Sequence, residues 1–161
     1  MKPSIIFYSY TGITCGIAEK IQDETGGELV EVKTKEPYSK ITAYTLGCFR
    51  ARRGECDKIE QESIDVSDSD ILVIGTPVWA FRATPAINAA VEALKGCDGK
   101  TAVLFATCGG QAGDTLPELT KALTAKGVRV KGEFLFDRND VRDQGRINAL
   151  IAAVKTAGDS K

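Results

Sequence analysis

The chain has 161 residues, enough for one domain with a sizeable core, spanning 1–161, and too few for a second. Apolar content of 43% and charged content of 27% are ordinary for a soluble globular domain, and a net charge of −1 excludes the basic character that nucleic acid or an anionic membrane calls for. No apolar run approaches the ~20 residues of a membrane span. Met1-Lys2-Pro3-Ser4 leads straight into a four-residue strand core, too short for a secretory leader. Five cysteines, odd in number and with no Cys-x-x-Cys pair, predict reduced thiols in a cytoplasmic protein. The chain has no histidine, which removes the commonest metal ligand and the usual base near neutral pH, so no metal site is expected.

Taken in order, Ile5-Ile6-Phe7-Tyr8 reads as a buried strand. Ser9-Tyr10-Thr11-Gly12-Ile13-Thr14 follows as a turn, and Ile13, Ile17 and Ile21 then recur at helical spacing until Gly26-Gly27 stops the helix. Glu28 to Lys33 is a second strand, polar at both ends as a sheet edge would be. Between Thr34 and Ser63 the pattern is weak. Ile41, Tyr44 and Cys48 suit one helix face, and Arg50, Arg52 and Arg53 close that stretch as a basic cluster, read first as a solvated helix end. Ile71 to Ile74 is the most apolar strand, emptying into a loop from Thr76 to Phe81.

A helix opens near Pro85 with Ile87, Ala90, Val91 and Leu94 on one face. Thr101 to Ala106 is the fourth strand, ending in Thr107-Cys108-Gly109-Gly110. A helix from Asp114 or Thr115 carries Leu119 and Leu123 to a stop at Gly127, and Val128 to Phe136 alternates as a strand with one solvated face. Ile147, Leu150, Ile151 and Val154 mark the last helix, before a polar tail. A strand followed by a helix, five times over, implies an α/β fold: a parallel sheet with helices on both faces. In such sheets ligands bind beyond the carboxyl ends of the strands, where the strand order reverses. Three loops, 9–14, 76–81 and 107–110, should converge there.

Their chemistry is consistent. The first amides of a helix lack intrahelical acceptors and carry partial positive charge, so a strand–turn–helix rich in hydroxyls and glycine suits an anion such as phosphate. Ser9, Thr11 and Thr14 add hydroxyls, and Gly12 lets the anion approach the backbone. Trp79, the one tryptophan, offers a flat face for stacking on a ring. Gly109 and Gly110 clear space for a planar group against backbone. Rival motifs fail. Gly99-Lys100-Thr101 precedes its strand and lacks the first glycine of a triphosphate loop, and the dinucleotide glycine fingerprint is missing. A receiver domain needs carboxylates where this chain has hydroxyls. A Cys-x₅-Arg phosphatase fails because Ile21 and Asp114 stand where arginine is required.

With Ser9, Thr11, Gly12 and Thr14 in place, the first loop resembles the Ser/Thr-x-Thr-Gly-x-Thr phosphate loop of the flavodoxin family. Thr76-Pro77-Val78-Trp79 and Cys108-Gly109-Gly110 resemble that family's two flavin-ring segments, so the resemblance spans the whole chain in element order. It implies a doubly wound, flavodoxin-like five-stranded parallel sheet of order 2-1-3-4-5 and bound flavin mononucleotide (FMN). The implied contacts are Ser9, Tyr10, Thr11, Gly12, Ile13 and Thr14 at the phosphate, with Thr76, Pro77, Val78, Trp79, Ala80, Phe81, Thr107, Cys108, Gly109 and Gly110 at the ring.

The function implied is low-potential electron transport between a reductase and acceptor proteins. Redox partner proteins are the partners expected, with no nucleic acid or membrane, for a monomer or weak homodimer. The low potential follows from a phosphate dianion with no cation in its loop. The alternative is an enzyme, an FMN-dependent NAD(P)H:quinone-type oxidoreductase, using the flavin face left open because Cys108 to Gln111 contains no aromatic. Many flavodoxins are strongly acidic and dock basic partners; this chain is not, so a different partner surface is expected. Cys15 and Cys108 are read first as small packing residues, although a helix N-terminus lowers the pKa of a thiol such as Cys15.

Overall fold

The apolar tetrad Ile71-Leu72-Val73-Ile74 lies at the centre of the sheet in the computed structural model, which describes residues 1–159. Ser160 and Lys161 of the polar tail lie outside the described residues. The main strands are β1 (Pro3–Phe7), β2 (Glu28–Glu31), β3 (Ile71–Trp79), β4 (Thr101–Thr107) and β5 (Arg129–Phe136), all parallel, in the order β2-β1-β3-β4-β5. The chain therefore has the flavodoxin-like α/β fold expected from its element order. β1 and β4 are buried along their whole length, as parallel strands covered on both faces must be. β2 and β5 form the edges, and exposed Lys131 and Glu133 alternate with half-buried neighbours on β5.

Strand alternation divides the core into two layers. Ile5, Phe7, Ile71, Val73, Val103 and Phe105 face helices α1 (Ile13–Thr25) and the C-terminal helix Gln144–Asp159. Ile6, Tyr8, Leu72, Ile74, Ala102 and Leu104 face α2 (Pro85–Ala93) and α3 (Thr115–Ala125). The C-terminal helix is α4, and its Ile147, Leu150, Ile151 and Val154 are all buried. Thr84 caps α2 by accepting from the Ile87 amide, just before Pro85, whose missing N–H costs nothing there. Gly26, at φ +69, ends α1 with its amide on the Gln22 carbonyl.

Two segments differ from their sequence reading. β3 does not end at Ile74 but runs on to Trp79, because β4 accompanies it through the pair Pro77↔Thr107. It then folds back: Arg82–Ala83 pairs antiparallel with Val78 and Trp79, and Ala80 and Phe81 turn the corner at φ 49° and 65°. Positive φ at both positions is the geometry of a tight hairpin turn, normally given to Asn-Gly. The Asp114 amide, donating to the Phe81 carbonyl at 3.0 Å, helps hold it.

The second difference lies in the weakly patterned stretch. Residues 40–52 form a composite helix, α-helical over Lys40–Thr42, π-helical over Ala43–Gly47 and α-helical again over Cys48–Arg52. Its buried residues are Ala43, Gly47 and Ala51, while Ile41 and Tyr44 point outward. The reason is steric. A Cβ at Gly47 would lie 2.6 Å from Cζ3 of Trp79, so only the smallest side chains fit beneath this helix.

Candidate functional site

At the carboxyl edge of the sheet, the loop after β1 turns on Ser9 and Gly12. Ser9 Oγ accepts hydrogen bonds from the amides of Gly12 at 3.1 Å and Cys15 at 3.2 Å. Gly12 adopts φ +90, and an added Cβ there would meet nothing within 4 Å, so the turn is open to solvent. The Gly16 amide bonds the Gly12 carbonyl, leaving the Ile13 and Thr14 amides with no acceptor among the described residues. Thr11, exposed, adjoins them and lines the cleft. Thr14 is buried, its hydroxyl 2.9 Å from that of Thr107, which staples the first loop to the third. The Ser9 hydroxyl proton remains free to donate.

Trp79 closes the middle of the site. Its ring meets Tyr8, Tyr10 and Tyr38 edge-on, with centroids 5.9, 5.6 and 5.2 Å away and interplanar angles of 86–87°. Such T-shaped contacts are each worth about 0.5–1.5 kcal/mol beyond simple burial. Behind them Asp57 Oδ1 accepts from the Tyr38 hydroxyl at 2.6 Å and from Arg50 Nη1 at 3.1 Å, while Oδ2 is buried without a protein partner. Burial and the hydrogen bond to Asp57 push the Tyr38 phenol up to about 12. Tyr8 is raised as well, by burial first and the Asp57 charge second. Both phenols therefore stay neutral far above physiological pH, and the Arg50–Asp57 pair ties the composite helix over the tryptophan.

The loop after β4 carries Cys108, Gly109 and Gly110. A Cβ at Gly109 would come 3.4 Å from the Arg138 guanidinium, placing that cation over the loop. The thiols gain no activation. Burial raises Cys48 and Cys108, and burial together with Glu19 raises Cys15, whose Sγ lies 3.6 Å from Glu19 Oε1.

Together these loops enclose a cleft of about 420 Å³, within the range of roughly 300–1,000 Å³ usual for small-molecule sites. Of the residues expected at the site, Tyr10, Thr11, Ile13, Pro77, Val78, Trp79, Ala80, Thr107, Cys108 and Gly109 line it. Ser9, Gly12 and Thr14 belong to the first loop but are not among the lining residues. Thr76 is fully buried, its hydroxyl donating to the Pro77 carbonyl and lying 3.2 Å from Thr84 Oγ1. Phe81 and Gly110 lie outside the wall. Ala43, Tyr44, Cys48, Arg138 and Val141 complete it, and sequence reasoning placed none of these. For Arg138 a signal existed, because it follows β5 and the topology brings that loop to the same edge. Gly99-Lys100-Thr101 lies at the other end of the strands, where Lys100 Nζ donates to the carbonyls of Ser67 and Ser69.

The arrangement suits an anionic group at the α1 amides and a flat ring between Trp79 and the glycine loop. Comparison with known proteins gives the family. A flavodoxin family profile matches residues 2–144, and the chain belongs to the flavodoxin family. With the family comes its cofactor, FMN. A candidate flavoprotein from Bacteroides eggerthii is 26% identical, with 96% of this chain and 98% of that one covered and a TM-score of 0.77. A flavoprotein from Lactobacillus acidophilus, solved in complex with FMN, is 25% identical over 89% of this chain and 98% of its own, with a TM-score of 0.70. The two-electron reduced flavodoxin of Megasphaera elsdenii shares the fold at 15% identity, covering 96% and 99% with a TM-score of 0.62. No curated protein matches the chain.

Proposed function

We propose that this chain holds FMN in the cleft and carries electrons between a reductase and acceptor proteins. The observation that carries the reading is the convergence of free helix amides, Trp79 and the glycine loop on one cleft of FMN-compatible volume. The amides of Ile13 and Thr14 with the hydroxyls of Ser9 and Thr11 would bind the phosphate, while Trp79 and the backbone near Gly109 would orient the ring. FMN supplies the redox chemistry when bound, and the protein supplies position and electrostatics. The phosphate loop contains no cation, which favours a low potential. Arg138 at the ring loop opposes that effect, so the potential is expected to fall less than the phosphate alone would cause.

A reductase reading rests on the third loop, which has no aromatic to cover the ring. Against it stands the fate of the arginines that a nicotinamide nucleotide phosphate would need. Of four arginines outside the cleft, Arg50 pairs with Asp57, Arg53 with Glu55 and Arg82 with Glu118, leaving Arg52 outside any ion pair among the described residues, with Arg138 in the cleft wall. Steady-state oxidation of NADH and NADPH with a quinone acceptor separates the two readings. A carrier turns over negligibly until a separate reductase is supplied. Turnover above about 1 s⁻¹, an ordinary enzyme rate, would make the protein a reductase.

A further inference from the structure

The composite helix is inside out. An ordinary surface helix turns its large apolar side chains to the core, whereas this one turns Ala43, Gly47 and Ala51 inward. Ile41, Tyr44, Leu46 and Phe49 stand outward at 76, 84, 43 and 55% exposure. Among the described residues, the exposed large apolar side chains other than Met1 are those of this helix, Ile13 in the cleft wall, and Phe81, next to the lining residue Ala80. Of these, Ile13 and Tyr44 line the cleft itself, and exposed apolar side chains gathered at a cleft mouth mark an interaction surface. A π-helical turn, a geometry frequent at functional sites, lies within it.

Charge selects the occupant. From Tyr38 to Gly54 the chain carries Lys40, Arg50, Arg52 and Arg53 and no acidic residue. Arg50 is taken by Asp57 and Arg53 by Glu55, so Lys40 and Arg52 are the cations of this stretch with no ion pair among the described residues. A second copy docked symmetrically would set these like charges against each other. A lipid surface suits a flat amphipathic stripe, but here the apolar groups come from three separate elements around a concavity. A protein with a carboxylate rim and an apolar centre fits both features.

We propose that the outward face of residues 40–53, with Ile13 and Phe81, is the docking surface for an acidic redox protein. Its polarity is opposite to that of the acidic docking faces common among flavodoxins. The inference rests on the FMN electron-transfer reading. In the exchange, the partner's reduced centre loses one electron and the bound flavin gains it.

The test uses FMN-loaded protein with two probes in stopped flow, a reduced acidic [2Fe–2S] ferredoxin as donor and a basic c-type cytochrome as acceptor. The second-order rate with ferredoxin should be fast at low salt and fall steeply as salt is added. It should drop at least tenfold in the double variant Lys40→Glu/Arg52→Glu and in Ile41→Ser/Phe49→Ser. The charge reversal should leave the cytochrome rate unchanged or raise it. No exchange with ferredoxin, an unchanged ferredoxin rate in the variants, or equal slowing with both probes overturns the proposal. Dimerisation abolished by Phe49→Ser, or binding to phosphatidylserine vesicles abolished by it, gives the surface to another occupant and overturns it too. If FMN fails to bind, or dithionite fails to reduce it in the bound state, the cofactor reading falls. Normal loading with charge-insensitive kinetics sinks the docking surface alone.

Discussion

On the proposed reading Thr11 is the side chain on which anion recognition turns, because it lines the cleft while the hydroxyl of Thr14 is shared with Thr107. A hydrogen bond to a charged group is worth about 1.5–3 kcal/mol. Thr11→Ala should therefore weaken FMN binding at least tenfold and leave riboflavin, which has no phosphate, nearly unchanged; equal losses would place the phosphate elsewhere. On the same reading Arg138 would act on the ring end. At roughly 10 Å and an effective dielectric near 20, a cation favours an added negative charge by about 1.5 kcal/mol, or roughly 65 mV for one electron. Arg138→Gln should lower the flavin potential by an amount of that order in a spectroelectrochemical titration. No change would remove Arg138 from the electrostatics of the site.

The composite helix controls Trp79 from above. Gly47→Ala gains about 1 kcal/mol of helix propensity but forces a carbon to within 2.6 Å of the indole, and such overpacking costs about 1–3 kcal/mol. Net destabilisation by about 1 kcal/mol with altered Trp79 emission is expected in thermal and fluorescence measurements; a stabilised protein would show that the helix is free to lift. The tether beneath it is pH-sensitive at one end of the scale. Tyr38 ionises near 12 when folded and near 10 when unfolded. Because the folded state holds the proton more tightly, this stability is fully present below pH ~10 and is lost between about 10 and 12. Denaturant midpoints should decline over that window, less so in Tyr38→Phe; identical declines would assign the loss elsewhere. The inverted helix was the least legible element, for a physical reason. Its inner positions Ala43, Gly47 and Ala51 recur every fourth residue but are too small to stand out as an apolar stripe, and the reason for their size, Trp79 against Gly47, is far away in sequence.

Across the whole molecule, the alternation of strands and helices set the topology plainly. Each central strand is covered on both faces and so reads as an unbroken apolar run, as Ile71 to Ile74 and Thr101 to Ala106 do. The site was partly legible by the same logic, since the strand order brings the three loops to one edge. What stayed hidden were contributions set by tertiary contact, namely Thr14 turned inward to Thr107, Thr76 buried, and Arg138 swung over Gly109. The central claim is that these loops form an FMN site walled by the single tryptophan. Titration of the apoprotein with FMN, followed together by flavin absorbance and Trp79 emission, tests it most directly. One FMN per chain, with the emission strongly quenched at the same equivalence point, is the predicted result; no saturable binding, or saturation with unchanged emission, would contradict it.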